Sequence, residues 1–229
     1  MERVPLILIL LLLFPLLPGL AQSTHPLTGR QIAPVMDASG AGWLDRSERE
    51  SEEKPDVALD ALDLKPGMTV ADVGAGTGYM SLRMARRVGP NGKVYANDLQ
   101  PEMLQKLRTN SQRAKLTNVE TVLGTDTDPR LPANTMDLVL LVDVYHEFSH
   151  PQIMLDKIRE SLKPDGRLVL LEYRKEDPAV PIRPEHKMSV AEVKTEVEPE
   201  GYKLDQVIEK LPRQHIIIFR KTAAAAHDK

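Results

Sequence analysis

Leu138-Val139-Leu140-Leu141-Val142 is the stretch that most restricts the fold. Five consecutive apolar residues lack the period of two expected of a strand with one face in water. A strand of this kind is buried on both faces, as inside a parallel sheet covered by helices on each side. The flanking sequence supplies both partners. Met68–Val73, Lys93–Asn97, Val119–Leu123 and Arg167–Glu172 read as further strands. Gly78–Val88, the segment opened by Pro101, Pro151–Leu162 and the segment opened by Ser189 read as helices. Pro101 takes a first helical position, and Ser189 with Glu192 makes a capping box. Leu204–Leu211 and His215–Phe219, separated by Pro212, read as a closing hairpin. Alternation of this kind predicts an α/β fold: an open, doubly wound, mostly parallel sheet ending in one antiparallel strand.

Composition excludes several functions. The chain has 229 residues, a formal charge of −3 and no cysteine. Thiol nucleophiles, disulfide scaffolds and cysteine-ligated metals are therefore excluded. No basic excess suggests a nucleic-acid partner. Val4–Leu20 is an almost unbroken apolar run behind Arg3, with Gly19 and Ala21 forming a small-x-small site. Residues 1–21 read as a signal peptide or an N-terminal anchor, so the protein is expected to be exported or held at a membrane by residues 4–20 alone. Residues 22–45, rich in small residues, Pro and Gly, read as a linker. Residues 46–222 form the domain, its opening charge run read as a solvated lead-in, and 223–229 a flexible tail.

The chemistry-bearing motif is Asp72-Val73-Gly74-Ala75-Gly76-Thr77-Gly78, at the first strand-to-helix junction. Glycines there let the chain turn tightly and let a ligand approach main-chain N–H groups. Asp98 ends the second strand, where a carboxylate can accept ribose hydroxyls. Together these residues point to an adenosine-containing cofactor. Tyr79 stands where the dinucleotide fingerprint places its third glycine, which weighs against a NAD-dependent oxidoreductase.

Val70–Tyr79 resembles the first motif of class I S-adenosylmethionine (SAM) dependent methyltransferases. Val94–Asp98 with Pro101-Glu102-Met103-Leu104, and Lys163–Arg167, resemble their second-strand motif and the turn before their fifth strand. The chain is most similar to small-molecule enzymes near the ubiquinone/menaquinone-biosynthesis and arsenite methyltransferases. The resemblance implies a seven-stranded Rossmann-like sheet of order 3-2-1-4-5-7-6 with strand seven antiparallel. It implies that Gly74, Gly76 and Gly78 line the methionine part of SAM, that Asp72 orients their loop, and that Asp98 binds the ribose with Leu99 against the adenine. An acidic residue after the third strand is expected near the adenine, Asp126 in preference to Asp128.

The expected activity is methyl transfer to a small-molecule acceptor; a non-catalytic SAM-binding protein is the alternative. The segment Asp143-Val144-Tyr145-His146-Glu147-Phe148 follows the fourth strand, on the side where the methyl group should point. His146 is the expected base, with Asp143 and Tyr145 as alternatives. No His-Glu-x-x-His spacing occurs, so no metal is expected. His186 and Lys187 read as a loop end or as contacts for an anionic acceptor.

Overall fold

The computed structural model describes residues 23–222; the expected signal or anchor at 1–21 and tail at 223–229 lie outside the described residues. The strands are β1 (Thr69–Val73), β2 (Lys93–Asp98), β3 (Val119–Leu123), β4 (Met136–Val142), β5 (Leu162–Tyr173), β6 (Tyr202–Ile208) and β7 (Gln214–Lys221). They form one seven-stranded sheet in the order β3-β2-β1-β4-β5-β7-β6. The pairs from β3 through to β5 are parallel, and β7 runs antiparallel to both β5 and β6. This is the architecture expected from the sequence.

The helices are α1 (Ala41–Leu44), α2 (Arg49–Glu52), α3 (Pro55–Ala61), α4 (Ser81–Val88), α5 (Pro101–Arg113), α6 (Pro151–Ser161) and α7 (Val190–Val197). Successive side chains of β4 leave the sheet on opposite sides. Leu138 and Leu140 join Leu59, Met84 and Val88 in one core. Val139 and Leu141 join Leu155, Ile158 and Val193 in the other. All four β4 side chains are fully buried, which is why the run has no polar alternation.

Several boundaries differ from expectation, β6 for instance ending at Ile208 rather than Leu211, and two of them have a local cause. Helix α4 begins at Ser81 rather than Gly78, because Gly78 itself sits at φ +90°, outside helical space. β5 begins at Leu162: Leu162 pairs with Met136 and Arg167 with Leu138, so Lys163–Gly166 forms a bulge within the strand.

The larger correction concerns the expected linker. Residues 23–45 pack against the domain. Arg30 donates from Nε and Nη2 to the two carboxylate oxygens of Glu196 on α7, at 3.1 and 3.0 Å. Its Nη1 reaches the His146 carbonyl at 3.1 Å, and Ala33 N donates to the same carbonyl at 3.0 Å. The Glu196 side chain is fully buried and that of Arg30 is 4 % exposed. The small residues that read as a flexible linker serve close packing instead, with Ala33 and Ala41 both buried. The charge run is likewise not a solvated face throughout, since Arg49 and Glu53 are buried as an ion pair at 2.7 Å.

Removing one partner from the Arg30–Glu196 pair leaves a buried charge uncompensated. Arg30→Ala is expected to lower stability by about 3–5 kcal/mol in urea unfolding of the protein. A loss below about 1 kcal/mol would show that the segment is not docked in solution.

Candidate active site

The site lies beyond the carboxyl ends of the parallel strands, where loops from β1, β2, β4 and β5 converge. Asp72, next to last in β1, is buried and accepts the Ser81 hydroxyl at 2.6 Å, tying the strand to the first residue of α4. Burial pushes its carboxyl up to about 6, against the lowering effect of the Ser81 hydrogen bond. It ties β1 to the start of α4 across the glycine loop and does not line the cleft.

The three loop glycines do different things. Gly74 N and Ala75 N both donate to the Asn97 carbonyl, at 2.9 and 2.8 Å. A Cβ on Gly74 would stand 2.5 Å from Val144, so the loop after β4 can close on it only because it is glycine. Gly76, at φ +54°, donates its N–H to Asp98 Oδ2 at 2.9 Å and lines the cleft. Gly78 does not line the cleft. Its missing side chain faces Leu107 of α5, 2.8 Å away, so glycine is required here by the packing of α5 against the loop.

Asp98 is 6 % exposed and lines the cleft. Its Oδ1 accepts Gln100 N and its Oδ2 accepts Gly76 N, both at 2.9 Å. Burial raises its pKa, while these amide donors pull the other way. Each oxygen keeps a lone pair for a ligand hydroxyl. Leu99 is half exposed at the same end of the cleft. Of the two acidic residues after β3, Asp126 lines the cleft, beside His150 Nδ1 at 3.3 Å. Asp128 turns away to accept Arg130 N at 2.7 Å in a local turn.

At the other end stands the segment after β4. Asp143, at φ +53°, lines the cleft and accepts Gln214 Nε2 at 2.7 Å. Its Oδ1 has no hydrogen-bond partner among the described residues. Burial, with Glu53 and Glu172 nearby, holds its carboxyl well above the ordinary range. His146 also lines the cleft. Its Nδ1 meets Glu172 Oε2 at 2.6 Å and its Nε2 meets His186 Nδ1 at 3.1 Å. Burial works to lower the His146 pKa, but the carboxylates around it, Glu172 first and then Glu147 and Asp143, together hold the imidazole above its ordinary value. Glu147, pushed up to about 7 by burial, completes this group.

Tyr145 is a correction. It is fully buried in the core, edge-on to Phe148 at 5.7 Å, and contributes nothing to the cleft wall. Both side chains of the Tyr145–Glu147 turn are buried, but Tyr145 enters the core while His146 lines the cleft.

The cleft has a volume of about 540 Å³. Val35, Met36, Trp43 and Leu44 of the N-terminal segment line it, as do Pro181–Arg183 from beyond β5. Gln100 Nε2 holds the Met36 carbonyl at 2.8 Å, fastening that segment to the Asp98 end. Neither Glu172, within the apolar run of β5, nor the N-terminal lining residues carried a local motif. The four-residue spacing of Arg49 and Glu53 was the one readable trace of the wall they build.

A Rossmann-like sheet with a glycine loop and a buried carboxylate at the second strand defines a nucleotide-type cofactor site. Comparison with known proteins agrees. A methyltransferase domain family matches residues 64–214. A SAM-dependent methyltransferase structure from Aquifex aeolicus aligns with 30 % identity and a TM-score of 0.78, over 82 % of this chain and 100 % of its own. A protein-L-isoaspartate O-methyltransferase of Methanothrix thermoacetophila is 35 % identical over 50 % of this chain and 51 % of its own length. An arsenite methyltransferase of Halobacterium salinarum is 30 % identical over 59 % of this chain and 40 % of its own. The chain thus spans about half the length, or less, of these curated relatives. It belongs to the methyltransferase domain family, in the class I SAM-dependent group.

The residues present fit SAM: each Asp98 oxygen keeps a lone pair at the cleft, and Gly76, where a Cβ would stand 2.7 Å from Leu44, lets the loop pass beneath the N-terminal segment that lines the same cleft. Asp98→Ala is expected to weaken SAM binding by about 1.5–3 kcal/mol, read by calorimetry. Asp126→Ala, at an exposed position, is expected to cost less. Equal affinities for wild type and Asp98→Ala would remove the ribose assignment.

Proposed function

We propose that this chain is an enzyme that moves a methyl group from SAM to a small-molecule acceptor. The observation that carries this reading is the single roofed cleft joining Asp98 to His146. Its volume suits a cofactor with a compact acceptor beside it. The roof of N-terminal and post-β5 residues favours a small molecule over a folded protein, although relatives are named for different acceptors. When bound, SAM supplies a methyl carbon already activated by its sulfonium.

The chain itself must orient and desolvate. Asp98 and Gly76 hold the cofactor end. The roof formed by Met36 and Trp43 excludes water. His146, fixed through Glu172, presents Nε2 to the acceptor side and activates the attacking atom. Asp143 supports this end through Gln214. We further propose that residues 4–20 direct export or anchor the protein. N-terminal sequencing of the protein from each cell fraction tests this, and an intact Met1 in the cytosolic fraction would overturn it.

Incubation with SAM and a panel of small hydroxy, amino and thiol compounds should give S-adenosylhomocysteine and one methylated product. A panel without turnover, at confirmed SAM affinity, would favour the non-catalytic reading. His146→Asn is expected to lower turnover at least about 100-fold per folded molecule with SAM affinity unchanged. Retained turnover would remove the imidazole from the reaction.

A further inference from the structure

His146, Glu147 and His186 bring three ligand atoms together at the acceptor end of the cleft. Nε2 of His146 and Nδ1 of His186 are 3.1 Å apart. Glu147 Oε1 lies 4.0 Å from the first and 3.9 Å from the second. Three atoms at these separations lie on a circle of radius about 2.1 Å, the length of a zinc–imidazole bond.

We propose that His146 Nε2, His186 Nδ1 and Glu147 Oε1 form a two-histidine, one-carboxylate site for a divalent first-row metal, zinc by its donor set. Two features beyond the cluster support it. The first is Glu172, whose carboxylate accepts from His146 Nδ1 at 2.6 Å. That contact fixes the tautomer and leaves the Nε2 lone pair aimed at the cluster, as the outer carboxylate of a carboxylate–histidine–metal triad does. The second is burial. The side chains of His146, Glu147 and His186 are 2 %, 14 % and 18 % exposed, so little water competes for their lone pairs. Three protein ligands leave a coordination position open, and the cleft lies on that side.

The competing arrangement is a plain hydrogen bond from His186 Nδ1–H to His146 Nε2. It accounts for the 3.1 Å contact and for Arg183 Nη2 at 3.4 Å from His186 Nε2, and it leaves Glu147, which meets neither imidazole at hydrogen-bond distance, to the Met36 backbone amide. The absence of a His-Glu-x-x-His motif does not argue against the site. His186 enters from the loop between β5 and α7, forty residues away in sequence. The site deepens the methyltransferase reading and rests on it: with metal bound, His146 Nε2 is a ligand and no longer the base, and activation passes to the open position, which takes an acceptor that carries an oxygen donor.

The test uses the full chain dialysed against a chelator. Titration with Zn²⁺ should show one equivalent bound. Co²⁺ as a spectroscopic substitute should give the intense visible bands of a low-coordinate site. His186→Ala should weaken metal binding at least about 100-fold, and Glu172→Gln about 10- to 100-fold, with SAM affinity unchanged. Glu147→Gln serves as the second ligand variant should the first fail to fold. No stoichiometric binding, or binding undiminished in both ligand variants, would overturn the proposal. Turnover by the chelator-treated protein without metal would sink the metal and leave the methyltransferase reading standing. Stoichiometric zinc in a protein that turns over no acceptor would do the reverse.

Discussion

Four carboxylates gather along the carboxyl edge of the parallel sheet: Asp72 of β1, Asp98 of β2, Asp143 just past β4 and Glu172 of β5. Each is buried or nearly so, and isolated burial of such groups is costly. Each is matched with a donor from a different part of the chain. Ser81 serves Asp72, the Gly76 and Gln100 amides serve Asp98, Gln214 serves Asp143, and Tyr145 N with His146 serves Glu172. The pairing holds the loops over the sheet edge and keeps them rigid. The cleft is what remains between them.

The N-terminal segment completes this arrangement. Arg30 is tied at once to Glu196 on α7 and to the carbonyl of His146. The roof over the cofactor end and the turn carrying the candidate acceptor-side group are therefore one cooperative unit. Loosening the Arg30–Glu196 pair should disturb both, because Ala33 N shares the same His146 carbonyl.

The glycine loop shows how similar residues divide their tasks. Gly74 admits the loop after β4, Gly76 admits Leu44 of the N-terminal segment and donates to Asp98, and Gly78 admits α5. Substitution at Gly78 is a packing change against Leu107, whereas substitution at Gly76 is a change at the cleft. Neither difference is visible in the spacing of the motif.

What the sequence by itself determined was the sheet and the cofactor end. The apolar run of β4, the proline-led helices, the capping box at Ser189 and the closing hairpin are local patterns, each governed by neighbours a few residues away. The glycine loop and Asp98 were legible for the same reason, since each sits at the end of a recognisable strand. The acceptor end was decided by tertiary structure. His186, Glu172 and Arg30 reach His146 from 40, 26 and 116 residues away, and nothing in their local sequence marks them. Tyr145 and His146 are adjacent in sequence, yet the turn sends one into the core and the other to the cleft. The expected linker failed on the same ground. Small residues and prolines look alike in a flexible tether and in a segment packed flat against a domain, and only a distant buried partner, here Glu196, distinguishes them.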